Sequence, residues 1–361
     1  MKTLLLTLEY PPFKGGIANY YGNLAHYWPL GESLSVMDNN RGELMRDKKF
    51  LSWLNMIPSI ARKIDNGKID YTLVGHILPL GTVVWLISLI RPLKYAVFLH
   101  GMDFSYALRK KRKQFLSGMI LSRADKIICA NNYVAEKVKE IWPRQGHKTE
   151  VINPGVPAGV PNPDAAAIAS LKSKYKLTGK TVLLTIGRLV KRKGMDKTIE
   201  ALEALPEKLV DNLSYFIIGS GSAEGYLREL IPGKLSSKVT FLGELTADEK
   251  WDWLNLSDIL IMPSRDIAGD FEGFGIVYLE ANLCGKPVIA GDSGGVRDAV
   301  IDGYNGILVN PNDTAGIGQA IIKLALDSEL RNKLGAQGKE RTIKEFNWER
   351  QVEKLFKIIK G

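Results

Sequence analysis

Two carboxylates eight positions apart, Glu272 and Glu280, frame the segment Phe271-Glu-Gly-Phe-Gly-Ile-Val-Tyr-Leu-Glu280, which joins acceptors for hydroxyl groups to a glycine-flanked turn. Gly273 and Gly275 let the backbone approach a ligand closely. The apolar run from Ile276 reads as the start of a helix, whose unpaired N–H groups and positive dipole end favour a diphosphate. On that reading Phe274, Gly275 and Ile276 form the backbone cradle for a donor. Glu272, ahead of the turn, is free to bond sugar hydroxyls, and Glu280, about two turns into the helix, faces a ribose. The chemistry is that of a sugar-nucleotide clamp; the plain alternative is a loop with two solvated glutamates.

The segment does not stand alone. Gly15-Gly16, His100-Gly101, the run Gly187-Arg188-Leu-Val-Lys-Arg-Lys193-Gly194 and Ser293-Gly294-Gly295 accompany it in a fixed order. On these residues nearly the whole chain resembles the family 4 retaining glycosyltransferases of the GT-B fold. With Pro263-Ser-Arg265 ahead of Glu272, it looks most like the enzymes that mannosylate phosphatidylinositol from GDP-mannose. The resemblance implies an α/β architecture of two Rossmann-like doubly wound domains facing across a cleft. It also implies transfer with retention from a nucleotide-sugar substrate, with no cofactor or metal required.

Within that resemblance His100 contacts the donor sugar and, with Glu272, Arg188 and Lys193, makes up the catalytic set. Breaking the bond between sugar and diphosphate leaves negative charge on the leaving oxygen, and preformed cations at Arg188 and Lys193 stabilise it most in the transition state. Gly16 approaches the donor by its backbone. Lys191 and Arg192 read as solvent-facing. A histidine at a strand end is equally a structural residue, so His100 rests on position and resemblance. Arg297 and Asp298 stand where the family often has proline and glutamate, which leaves side-chain roles there open.

A different chemistry competes at Gly219-Ser-Gly221, where a Gly-x-Gly turn after an apolar strand also begins a dinucleotide fingerprint and suggests an NAD-dependent oxidoreductase. Its third glycine, Gly225, comes one place late. A catalytically dead sugar-nucleotide scaffold would keep the fold and lose the clamp residues, all of which are present. Glycosidases use paired carboxylates but need no diphosphate-binding cations. No Asp-x-Asp occurs in the chain, against a metal-bridged donor site.

These residues need elements to hold them. Strands are expected near Thr3–Leu8, Tyr71–Val74, Tyr95–His100, Lys126–Ala130 and Thr149–Ile152. A second series is expected near Thr181–Ile186, Ser214–Ile218, Val239–Leu242, Ile259–Met262, Pro287–Ala290 and Gly306–Val309. Alternation with helical segments predicts two parallel sheets covered on both faces. The breakers in Asn153-Pro-Gly-Val-Pro157 and Pro161-Asn-Pro163 mark a boundary. The first domain then covers 1–157, completed by a helix over 347–361, and the nucleotide-sugar domain covers 158–346. A length of 361 residues suits two domains.

The net charge of +10 sits wholly in the first domain: residues 1–157 hold 22 Lys and Arg against 12 Asp and Glu, and the remainder holds 27 of each. Arg109-Lys-Lys-Arg-Lys113, followed by Phe115, Leu116, Met119, Ile120 and Leu121, reads as a basic amphipathic helix suited to an anionic lipid surface, or else as a solvated face over a core stripe. The acceptor is expected to be lipid-linked or a glycan, with no nucleic acid partner; a UDP-sugar donor acting on a soluble acceptor is the alternative. Cys129 and Cys284 are the two cysteines, too few for a disulfide framework. Pro79 to Ile90 is too short for the ~20 residues of a membrane span. A cytoplasmic location follows, with peripheral attachment at the inner face of the membrane.

Overall fold

The apolar runs become parallel strands. In the computed structural model, which describes every residue except 14, 41, 43, 45–51, 158 and 160–162, the chain divides into two units. Unit one is Met1–Gly155 with Trp348–Gly361, and unit two is Val156–Asn347. Most of the second half of the expected linker, 158 and 160–162, lies outside the described residues.

Unit one carries β1 (Lys2–Leu6), β2 (Ser33–Met37), β3 (Tyr71–Val74), β4 (Tyr95–Leu99), β5 (Lys126–Cys129) and β6 (Thr149–Val151), all parallel, in the order β2-β1-β3-β4-β5-β6. Five of these are the expected strands, shortened by a residue or two at some ends. β2 was not expected: Ser-Leu-Ser-Val-Met is short, lies at the sheet edge and buries only Met37 fully, so its apolar signal is weak.

Helix Trp348–Lys360 returns to unit one. Its apolar residues Trp348, Val352, Leu355, Phe356 and Ile359 follow the 3.6-residue helical repeat and are buried with Tyr20, Tyr21, Leu24 and Trp28. Trp348 meets Tyr20 edge-on at 5.1 Å and Phe356 meets Trp28 at 5.6 Å. Each such side chain contributes roughly 1.5–3 kcal/mol by leaving water.

Unit two carries β7 (Thr181–Ile186), β8 (Leu213–Ile218), β9 (Val239–Gly243), β10 (Ile259–Met262), β11 (Val288–Gly291) and β12 (Gly306–Val309), again parallel, in the order β12-β11-β10-β7-β8-β9. Neighbours along a strand bury on opposite faces. Leu184, Phe216, Leu260 and Met262 lie in one core, while Leu183, Tyr215, Ile217, Ile259 and Ile261 lie in the other. That is why these strands read as continuous apolar runs rather than alternating ones.

Strand order reverses between β1 and β3 in unit one and between β7 and β10 in unit two. At such a point the loops leaving the C-terminal strand ends diverge to opposite faces, and ligands of open α/β sheets bind there.

Candidate active site

Three loops leave the C-terminal ends of the adjacent strands β11, β10 and β7 in unit two, and they are pressed together by backbone. A Cβ on Gly194, whose φ is +77°, would lie 2.1 Å from the Pro263 carbonyl oxygen; one on Gly294, φ +59°, would lie 2.5 Å from that of Glu272. Only glycine allows both the left-handed conformation and the approach. The Gly295 N–H donates to the same Glu272 carbonyl at 2.9 Å, and the Arg265 N–H to the Arg192 carbonyl at 2.8 Å. The first of these glycines brings the basic run after β7 against the acidic segment after β10.

The Glu272 carboxylate is buried and is not free. Its Oε2 accepts from Lys193 Nζ at 2.6 Å and from Arg192 Nη1 at 2.8 Å. Burial alone would raise the Glu272 pKa; the charges of Lys193 and Arg192 outweigh it, and the pKa is lowered. Arg192 also places Nε 3.1 Å from Asp270. The expectation of a solvent-facing Arg192 is therefore corrected: the single 3₁₀ turn Lys191–Lys193 turns Lys191 outward and drives Arg192 and Lys193 inward. Arg188, directly after β7, is exposed.

Gly275, at φ +79°, precedes helix Ile276–Leu283, and no side chain caps that helix. The helix places Glu280 little more than one turn in, not two, and Glu280 accepts from Lys250 at 2.7 Å. The Phe274 side chain is in the core against Phe346, ring centroids 5.8 Å apart, so it has only backbone to offer a ligand.

In unit one the corresponding loops follow β1, β3 and β4. Gly16, exposed, begins helix Gly16–His26. The Tyr21 hydroxyl donates to the Gly75 carbonyl at 2.8 Å and lies 2.7 Å from His100 Nε2. Its one proton is spent on Gly75, so Nε2 carries the ring proton and donates to the Tyr21 oxygen, which leaves Nδ1 as an acceptor. Burial, reinforced by His76, lowers the His100 pKa to about 3, and burial lowers that of His76 to about 4. Asp103 Oδ1 accepts the N–H groups of His100 and Gly101 at 2.9 and 3.0 Å, and its buried Oδ2 has no hydrogen-bond partner. Burial raises the Asp103 pKa to about 6.

Glu272 and Lys193 are thus brought into contact, with Arg188 five residues before Lys193 on the same loop, while His100 and Gly16 belong to unit one. Arg192 and Asp270 are site members that spacing did not indicate; the doubled basic pair at 192–193 was the available signal for the first.

Comparison with known proteins bears on the fold and the family. Residues 38–159 match the model described as Glycosyltransferase Family 4, and residues 168–341 match Glycosyl transferases group 1. A GDP-mannose-dependent monoacylated α-(1-6)-phosphatidylinositol monomannoside mannosyltransferase of Corynebacterium glutamicum is 30% identical, over 100% of this chain and 98% of its own. The Mycobacterium tuberculosis GDP-mannose-dependent α-(1-6)-phosphatidylinositol monomannoside mannosyltransferase is 28% identical with the same coverage. Among solved structures, a glycosyltransferase of Rickettsia africae superposes with a TM-score of 0.81 at 20% identity, covering 99% of this chain and 98% of its own. Anabaena Alr3699/HepE in complex with UDP gives 0.80 at 19%, with both chains fully covered. The fold is GT-B, two Rossmann-like domains, and the chain belongs to the family 4 glycosyltransferases. Among the described residues no helix is long and apolar enough to cross a membrane.

The titrating groups of unit one predict its acid response. His76 and His100 are neutral when folded but protonate near 6.5 when unfolded. Below 6.5 the unfolded state binds more protons, and stability is lost as pH falls until each ring titrates in the folded unit. At pH 5 this costs about 2 kcal/mol per ring. Asp103 acts oppositely, binding its proton in the folded state below about 6, and returns about 1 kcal/mol. Urea unfolding of unit one, followed by tryptophan fluorescence, should show a net loss of about 3 kcal/mol from pH 7 to pH 5, cut to about 1 kcal/mol in His100→Asn. A flat profile would contradict the neutral, buried imidazoles.

Proposed function

We propose that this chain is a retaining hexosyltransferase that moves mannose from GDP-mannose to a hydroxyl of a lipid-linked or glycan acceptor at a membrane surface. The observation that carries the transferase chemistry is the buried Lys193–Glu272–Arg192 cluster at the switch point of unit two. The mannosyl donor and lipid acceptor rest on the likeness to the corynebacterial and mycobacterial enzymes.

The diphosphate binds Lys193, Arg192 and Arg188 and the N-terminal end of helix Ile276–Leu283, taking the cations that Glu272 holds without it. Glu272, released, accepts hydrogen bonds from the sugar hydroxyls. Glu280, beside Lys250, is placed for the ribose. His100 presents its unprotonated Nδ1 to a donor-sugar hydroxyl, and Gly16 offers backbone N–H.

As the bond from the anomeric carbon to the diphosphate oxygen breaks, the electron pair leaves with that oxygen, whose charge the cations accept. The acceptor hydroxyl attacks from the same face, and its proton passes to the departing phosphate oxygen, so configuration is retained. No cofactor takes part; the nucleotide sugar is a substrate.

The membrane reading has its own support. On helix Met102–Leu108 and helix Lys111–Arg123, Met102, Tyr106 and Phe115 are 54%, 46% and 70% exposed beside the basic run 109–113. Lys113 Nζ sits 3.1 Å from the Tyr106 ring centroid. Exposed apolar side chains next to a basic run suit an anionic interface, where each Lys or Arg gains ~1 kcal/mol. A UDP-sugar donor is the second reading, favoured by the fold likeness to a chain solved with UDP.

Glu272→Gln should lower transfer ten- to hundred-fold, the ~1.5–3 kcal/mol of one charge-assisted hydrogen bond. Nucleoside diphosphate release in the presence of phosphatidylinositol vesicles checks it, and wild-type turnover would sink the clamp. Thermal shifts with GDP and UDP decide the donor, since a ligand of the folded state raises its melting temperature; UDP as the better stabiliser overturns the mannosyl reading. Changing Arg109, Lys110, Lys111, Arg112 and Lys113 to Gln should abolish sedimentation with phosphatidylglycerol vesicles at low salt. Equal binding to neutral vesicles would make the run a solvated face.

A further inference from the structure

Behind the Lys193–Glu272–Arg192 cluster lies a second buried ion pair that touches neither Glu272 nor Lys193. Arg265, three residues past β10, sends Nη1 to Asp196 Oδ1 at 2.9 Å and Nη2 to Asp196 Oδ2 at 2.6 Å, a two-pronged contact with both side chains about nine-tenths buried. Asp196 lies in the first turn of helix Met195–Ala204, where the positive helix end favours its charge. The chain positions matter more than the charges. Asp196 is three residues after Lys193, and Arg265 is seven before Glu272, so the pair joins the roots of the two loops whose tips meet in the cluster.

Two further ties fall at the same seam: the Arg265 N–H on the Arg192 carbonyl at 2.8 Å, and the bare Cα of Gly194 against the Pro263 carbonyl. Apolar side chains could close such a seam without the desolvation cost of two charges. What a guanidinium–carboxylate fork adds is direction, because its parallel hydrogen bonds admit one relative orientation of the two loops.

We infer that Asp196 and Arg265 are positioning residues that fix the register between the cation loop and the Glu272 loop, so that diphosphate and sugar are held in reacting alignment. This rests on the donor reading of the cluster. Loss of the fork leaves Lys193, Arg192 and Arg188 able to find the diphosphate, so ground-state binding survives. The alignment needed only in the transition state is lost.

The test compares Asp196→Asn, Arg265→Lys and Glu272→Gln with wild type in the full chain. The donor is whichever of GDP-mannose and UDP-glucose the wild type turns over, with phosphatidylinositol vesicles and nucleoside diphosphate release as readout. Turnover is referred to folded protein, measured by circular dichroism at the assay temperature. Arg265→Lys keeps the charge balance and serves if Asp196→Asn does not fold. The expected result is a fall in kcat of tenfold or more in both fork variants, with KM for the donor changed less than threefold; a purely stabilising pair would lower the melting temperature and leave kcat per folded molecule alone. Wild-type kcat in the fork variants beside a collapsed Glu272→Gln overturns the positioning role and leaves the donor reading standing. Raised KM at unchanged kcat overturns it as well, by making the pair part of ground-state binding. Wild-type kcat in all three overturns both.

Discussion

One carboxylate between two buried cations organises the second unit. Removing a carboxylate, an ammonium and a guanidinium from water is costly for each alone, and they are tolerated at Glu272, Lys193 and Arg192 because each satisfies the others. Such a cluster cannot be assembled loosely. It requires the loops after β7 and β10 to touch, hence glycine at 194, and it requires the Glu272 backbone to be held from the loop after β11, hence glycine at 294. On the proposed reading the cost of desolvating the cations is met before substrate arrives. The donor then exchanges one anion for another in a preorganised site instead of building the site from solvated side chains.

The strand order explains why this happens where it does. In a doubly wound sheet the two central strands send their following chains to opposite faces, which opens space at their C-terminal ends. β7 and β10 are those strands in unit two, and β1 and β3 in unit one. The unit-one loops carry a different chemistry, with neutral imidazoles packed under Tyr20 and Tyr21 and a carboxyl held by two backbone N–H groups. Helix Trp348–Lys360 closes that unit with a stripe of aromatic and aliphatic residues from the far end of the chain.

Much of this was legible in the sequence because it is written in local pattern. Strands such as β1, β7, β8, β10 and β11 are apolar runs buried along nearly their whole length, and the returning helix has an unbroken apolar period; β2 escaped because Ser33 and Ser35 dilute an exposed edge. The clamp segment was visible in its glycines and carboxylates. Pairings were not. Glu272 meets Lys193 and Arg192 across separations of 79 and 80 residues, and Arg265 meets Asp196 across 69. Which of three consecutive cations faces inward depends on a single 3₁₀ turn with no periodicity to reveal it. Phe274, expected in the backbone cradle, turns its ring into the core against Phe346, a partner distant in the chain that no local pattern reveals.

The exchange of anions makes Glu272 a competitor for the cations that hold the donor, as well as a ligand of the sugar. Titration calorimetry of GDP and UDP into the wild type and Glu272→Gln tests this most directly. With the internal carboxylate neutralised, Lys193 and Arg192 are released, and the nucleoside diphosphate should bind at least as tightly as to the wild type while transfer is lost. Binding weakened tenfold or more in Glu272→Gln would contradict the account, since the carboxylate would then be supporting the diphosphate site and not standing in for its occupant.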